Sequence, residues 1–306
     1  MFDPNKSSAS LRAMLQRRIG LWFILGMAAG SAAAELRPEA PRPADKSSYT
    51  LFHPVPRELM REMSTDRPDK TESPYTVDAG HVQVEADVVN YSYDRRNSAH
   101  DRTRVEALGL APFNFKVGLC QSADLQIVVP TYNWVHTQAP HGGPVHRDSG
   151  FGDLITRLKY NFWGNDGGDA ALGVMPFVKW PTSSGGVGNN SYEGGIILPL
   201  AVSLPRGWVM GVMTEVDYNR DEDDHGHHAE FINTITFSHT LVGELSGYLE
   251  FFSNVSAARD ARWVGTVDLG LTYALTPNVQ LDAGVNLGVT TAADDVNPFL
   301  GISMRF

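Results

Sequence analysis

The chain has 306 residues, a net charge of −10 and a single cysteine, Cys120. So acidic a balance argues against a nucleic-acid partner, and one cysteine excludes an intrachain disulfide. Beyond residue 34 there is no apolar run of about 18 residues. That excludes a transmembrane helix but not a β-barrel, in which only alternate residues meet lipid.

At the N-terminus, Arg12, Arg17 and Arg18 precede the apolar run Ile19 to Ala29, followed by Ser31-Ala32-Ala33-Ala34. A basic region, a short apolar core and small residues in an A-x-A pattern predict a secretory signal peptide over 1–34, cleaved after Ala34. This piece is itself basic, so the remainder is more acidic than the whole. Residues 35–79 then form a leader. Glu35 to Lys46 is rich in proline and charge, with Pro38, Pro41 and Pro43. Pro56 to Met63 has the spacing of a short helix with Leu59, Met60 and Met63 on one side. Ser64 to Lys70 is dense in charge and broken by Pro68.

From Gly80 to Phe306 the pattern is strand, turn, strand. Twelve amphipathic segments are expected, centred near 81–93, 103–119, 124–137, 152–163, 170–180, 191–204, 208–219, 229–242, 244–255, 262–275, 278–290 and 297–306. In 278–290, Val279, Leu281, Ala283, Val285, Leu287 and Val289 oppose Gln280, Asp282 and Asn286. In 152–163, Leu158, Tyr160 and Phe162 oppose Arg157, Lys159 and Asn161. Every second link is tight, as at Gly164–Gly168 and Val242–Gly243. The others are longer or more polar, as at Gln138–Gly150 and Arg220–His228. Trp163, Trp180, Trp208, Trp263, Tyr218 and Tyr273 stand near segment ends, where interfacial girdles would lie. Pro112, Pro130, Pro176 and Pro199 fall inside segments and predict bulges or breaks, because proline lacks a ladder donor. At the C-terminus, Leu300, Ile302, Met304 and Phe306 alternate with Gly301, Ser303 and Arg305. An amphipathic strand ending on an aromatic residue resembles the closing strand of an outer-membrane barrel.

Together these features predict an all-β fold: a closed antiparallel transmembrane β-barrel of about twelve strands over 80–306, with a short N-terminal periplasmic or luminal segment. The expected location is the outer membrane of a Gram-negative-type bacterium. The expected partners are outer-membrane lipid, the barrel-assembly machinery through the strand ending at Phe306, and a small solute that no residue identifies.

The stretches Ser64–Glu85, Gly150–Leu154 (GFGDL), Lys159–Gly168 (KYNFWGNDGG), Pro176–Thr182 (PFVKWPT) and Glu193–Pro205 (EGGIILPLAVSLP) carry a family likeness. Over about 64–306 the chain resembles the outer-membrane transporter family named for the MetA pathway of phenol degradation. That resemblance implies passage of small, aromatic or otherwise apolar compounds, and it brings no catalytic residue and no cofactor.

If the apolar faces meet lipid, the other faces line a lumen. Inward charges would then be Glu85, Asp87, Glu215, Asp217, Glu244, Glu250, Asp268 and Asp282, with Arg104, Lys116, Arg157, Lys159, Lys179 and Arg305 as counterparts. Buried charges need partners or water, so a packed ion-pair network and a solute-selecting lining are the two readings. A twelve-stranded barrel is wider than side chains alone fill. Asp66, Arg67 and Asp69 are close enough to the first strand to fold back as a partial plug. A disordered periplasmic leader is the alternative. Arg220-Asp221-Glu222-Asp223-Asp224-His225-Gly226-His227-His228 offers carboxylate and imidazole ligands but no metal-site spacing, and reads as a solvated loop. Ser238 and His239 suggest a lipid hydrolase only superficially, since neighbours on a strand face opposite ways. A channel is therefore the leading reading, with a barrel enzyme acting on lipid or a non-conducting structural barrel as alternatives.

Overall fold

The computed structural model describes residues 45–95, 103–221, 226–259 and 261–306. The expected signal segment 1–34, residues 35–44 of the leader and residues 222–225 of the acidic loop lie outside them.

The strands are β1 (Val82–Asp94), β2 (Arg104–Leu110), β3 (Phe113–Cys120), β4 (Ala123–Val129), β5 (Tyr132–Gln138), β6 (Val145–Gly150), β7 (Ile155–Trp163) and β8 (Ala170–Lys179). They continue with β9 (Glu193–Ser203), β10 (Trp208–Arg220), β11 (His227–Val242), β12 (Leu245–Ser256), β13 (Val264–Thr276), β14 (Val279–Gly288) and β15 (Val296–Arg305). All pairings are antiparallel, and β15 returns to β1 from Gln83↔Arg305 to Tyr93↔Val296, closing the barrel. Three pairs are halves of single staves. β3 pairs with the first half of β1 and β2 with the second, and β4/β5 and β6/β7 are related in the same way. The barrel therefore has twelve staves.

Prolines set two of the breaks. Pro112 separates β2 from β3, and Pro130 separates β4 from β5. Pro176 and Pro199 instead stay inside β8 and β9. There the ladders pass from Arg157↔Phe177 to Tyr160↔Val174 and from Leu172↔Leu200 to Met175↔Ile197 without a change of register. Each proline thus occupies a gap where no donor is required.

The Gln138–Gly150 stretch is not all loop. Val145–Gly150 pairs with Tyr132–Gln138 across a short turn at Pro140–Gly142. His146, Arg147 and Asp148 are polar on both faces, so this strand carries no alternation to read. The Pro56–Met63 helix shrinks to one 3-10 turn, Arg57–Leu59.

Burial is inverted relative to a soluble protein. Lys116, Lys159, Gln83, Gln126, Glu250 and Asp268 are fully buried, whereas Leu249, Leu271, Phe162 and Leu300 are exposed. An outward apolar band around a polar interior is the pattern of a membrane barrel. Aromatic residues mark both edges of the band. Trp208 lies against His239 at the rim carrying the short turns, and Trp180 against Tyr192 and Tyr218 against His227 at the rim carrying the long loops.

Candidate functional site: the lumen and the segment within it

Residues 45–61 run along the short-turn rim. Thr50 bridges to Cys120, the Leu51 amide donates to the Leu119 carbonyl at 2.9 Å, and the Val55 amide to Ala79 at 3.0 Å. A cluster of four charges then clasps the chain where it enters the barrel. Lys46 Nζ lies between Asp78 at 3.0 Å and Asp166 at 2.7 Å. Arg61 donates to Thr76 O at 2.9 Å and reaches Asp166 at 3.2 Å, and its own amide donates to Asp78 at 2.9 Å. Burial pushes the Asp166 carboxyl up, but the Lys46 hydrogen bond and the Arg61 and Lys46 charges outweigh it and hold it below the usual carboxylate range. Residues 61 and 78 thereby become the two feet of a loop.

Between those feet the chain rises into the lumen and returns. Ser64 and Ser73 hydroxyls meet at 2.8 Å and the Ser73 amide donates to Asp66 at 3.0 Å, so the loop is tied to itself. It also reaches walls all round. Asp66 sits between Lys116 on β3 and Lys159 on β7, each at 2.5 Å, and Lys116 also pairs with Glu85 on β1. Arg67 pairs with Asp87 on β1 at 2.6 Å and Asp282 on β14 at 2.7 Å. Lys70 pairs with Asp268 on β13 at 3.1 Å, and its amide donates to Glu250 on β12 at 2.9 Å. The Thr71 hydroxyl donates to Glu250 at 2.6 Å, and Arg157 on β7 reaches Glu72 at 2.7 Å. Asp69 lies within electrostatic reach of Glu72 in the loop and of Glu250 on β12.

The structure thus places Asp66, Arg67 and Asp69 among Glu85, Asp87, Lys116, Arg157, Lys159, Glu250, Asp268 and Asp282. Arg305 donates to the Arg61 carbonyl at 2.8 Å, at the foot of the loop. Lys179 pairs with Glu193 and lies 3.4 Å from Asp153, near the long-loop rim and away from the loop. Glu215 and Asp217 share the lumen face of β10, with Glu215 within electrostatic reach of Arg157.

Two expected lumen charges are elsewhere. Glu244 is exposed in the turn between β11 and β12, because the strands end before and after it. Arg104 is outward-facing. Alternation changes phase across Ala111-Pro112, with Val88 as the matching extra residue of β1 against β15. Lys116 therefore faces the lumen, while Arg104 lies with Glu106 at 2.6 Å and over the Tyr93 ring. An unbroken period of two, carried through the proline, gives the wrong face.

Sequence pattern alone does not single out Lys46, Arg61, Lys70, Glu72, Asp78, Asp124 and Asp166. Asp124 was accessible by alternation, since it shares a face with Gln126. Asp166 was not, because a turn residue has no face.

One lumen patch is apolar: Met175 on β8, Ile197 on β9 and Met213 on β10 are packed together, with Phe177 and Ile232 beside them. A cavity of about 620 Å³ opens between residues 58–64 and the turn at 165–167. A second, of about 270 Å³, lies under Ala292–Asp294 with Lys70 and Phe252 in its wall. Among the described residues no cluster has a metal-binding arrangement. His228 instead bonds Asp221 at 2.7 Å and Glu230 at 3.1 Å. Ser238 pairs with Tyr248 and His239 with Gly247, successive positions with opposite faces.

A family model described as "Putative MetA-pathway of phenol degradation" matches residues 65–306. No protein of curated function matches the chain. Among solved structures, the COG4313 outer membrane channel from Pseudomonas putida F1 is similar at 14% identity. The match covers 79% of this chain and 100% of that one, with a TM-score of 0.57. The NanC porin is similar at 10% identity, covering 73% and 98%, with a TM-score of 0.46. The CymD monoaromatic hydrocarbon channel is similar at 9% identity, covering 74% and 87%, with a TM-score of 0.41. At these identities the likeness is one of fold, and the first of the three carries it.

Proposed function

The chain belongs to the family of the MetA-pathway model, and from that premise we propose that it is an outer-membrane channel for small aromatic or apolar compounds, closed by the loop 64–73. The observation that carries this reading is the loop itself, seated across the lumen on β1, β3, β7, β12, β13 and β14. A wide barrel needs its interior filled or hydrated, and a filling that hangs from two feet can leave without unfolding the wall. The apolar patch of Met175, Ile197 and Met213 is buried here, with the Glu72 amide on Met213, and would offer an apolar solute a surface once the loop has left. The family's name supports the aromatic class. Uptake of phenol should be faster in cells making the protein than in cells lacking it. Equal initial rates would remove the transport reading. The proposal includes no chemical step, and Ser238 and His239 on opposite faces do not favour a hydrolase.

Export through a signal peptide cleaved after Ala34 and insertion with the short-turn rim toward the periplasm complete the proposal. Cysteines introduced at Gly143 and Gly226, both at the long-loop rim, should react with impermeant maleimides on intact cells. Reaction only after the outer membrane is broken would reverse the orientation. The assembly machinery and outer-membrane lipid are the proposed partners of the last strand. Met304, Ile302 and Leu300 share its outward side with Phe306, so deleting Phe306 should lower the heat-modifiable, folded fraction. Insertion at the unaltered level would remove that role.

A further inference from the structure

The barrel wall carries a site already shaped around a guanidinium, at present filled by the protein's own Arg67. Asp282 Oδ1 accepts from Arg67 Nη2 at 2.7 Å, and its second oxygen is 3.3 Å from Nε. Asp87 lies 2.6 Å from Nη1. The Phe299 ring stands 5.8 Å from the guanidinium carbon. At Gly301 a Cβ would lie 2.1 Å from Nη2, so only glycine lets the planar cation rest against β15. A carboxylate that accepts from two nitrogens of the planar fork, a second carboxylate paired with its third nitrogen, an aromatic face and a glycine cradle form the acceptor set that recognises guanidinium rather than a spherical ion. One turn of loop away, the same plan recurs for an ammonium. Lys70 donates to Thr266 Oγ1 at 2.8 Å, pairs with Asp268 and lies 4.3 Å from the Phe252 ring centre.

These walls belong to β1, β12, β13, β14 and β15, strands of the closed barrel whose pairing does not involve the loop. Asp282 and Asp268 lose their cationic partners when the loop leaves, and a fitting cation restores a charge-assisted hydrogen bond to them. We propose that the Asp87–Asp282–Phe299 site is a binding site for organic cations of the guanidinium class, which compete with Arg67 and thereby release the loop. The proposal rests on the reading of 64–73 as the closure of a channel. Arg67 is tethered, so its effective concentration is in the millimolar range. A free ligand of similar intrinsic affinity therefore acts on the wild-type protein only at roughly millimolar concentration and above.

The probe is agmatine, with the purified mature protein in planar bilayers and sodium chloride or sodium benzoate at equal ionic strength as controls. Agmatine should raise conductance above both controls, with a half-effect near millimolar concentration. Conductance in agmatine equal to that in sodium chloride, or an equal rise with benzoate, overturns the proposal. By calorimetry, Arg67→Ala should bind agmatine at least tenfold more tightly than wild type, and Asp282→Asn in that background should remove the gain. Binding by Arg67→Ala no tighter than wild type, or unchanged by Asp282→Asn, also overturns it. Heat-modifiability establishes that each variant is folded, and the wild-type conductance arm stands without any variant. If removing the whole loop leaves conductance unaltered, the closure reading falls, while calorimetry still decides whether the site takes a guanidinium.

Discussion

A mature protein lacking residues 35–72 should fold into the same barrel and conduct severalfold more ions in planar bilayers than the intact mature protein. Folding should survive because the wall is complete without the loop. Closure runs through β15 and β1, and every stave has two neighbours. Conductance should rise because Asp66, Arg67, Lys70, Thr71 and Glu72 are the groups that reach inward to opposite walls. Their departure leaves a lumen lined by Lys116, Lys159, Glu250, Asp268 and Asp282, which draws in water and counter-ions. Equal conductance with and without the segment would defeat the plug. High conductance in both would mark a pore that the loop does not close.

Asp66→Asn should unseat the loop by itself. Asp66 is the carboxylate shared by Lys116 and Lys159, both fully buried. Lys116 retains Glu85, but Lys159 loses the carboxylate it pairs with. Removing one member of a buried ion pair typically costs about 3–5 kcal/mol, because the other charge stays desolvated. The least costly relief here is for the loop to leave and water to enter, which shifts the closed-to-open ratio by roughly a hundredfold or more. The expected result is higher conductance with a barrel that still migrates as folded. Asp66→Asn combined with Lys159→Met should recover much of the closure, since both partners of one pair are then gone. Wild-type conductance and thermal midpoint in the single variant would show that Asp66 does not hold the loop.

Local pattern accounts for the wall. Twelve staves were legible because a period of two is a property of neighbours along the chain, and Leu158-Lys159-Tyr160-Asn161 announces its two faces without reference to anything distant. The breaks at Pro112 and Pro130 were legible for the same reason, since a missing donor is written into the residue. Legibility stopped at the change of phase that follows such a break. A count of two carried through Ala111-Pro112 turns Arg104 inward, and only pairing with β1 shows that the count slips there. It stopped again at β6, which is polar on both faces.

The candidate site divides along the same line. Sequence by itself determined that alternate residues of the staves are charged and apolar, and that Ser64 to Lys70 is a mixed-charge segment just before the first strand. Which charge meets which was decided only by the tertiary structure. Arg67 and Asp282 are 215 positions apart and Lys116 and Asp66 are 50 apart. The Arg67 site takes one carboxylate from β1, another from β14, and its ring and glycine from β15. No period or spacing relates such residues, because their proximity is created by barrel closure and by the fold-back of the leader, and neither is a property of any local stretch of chain.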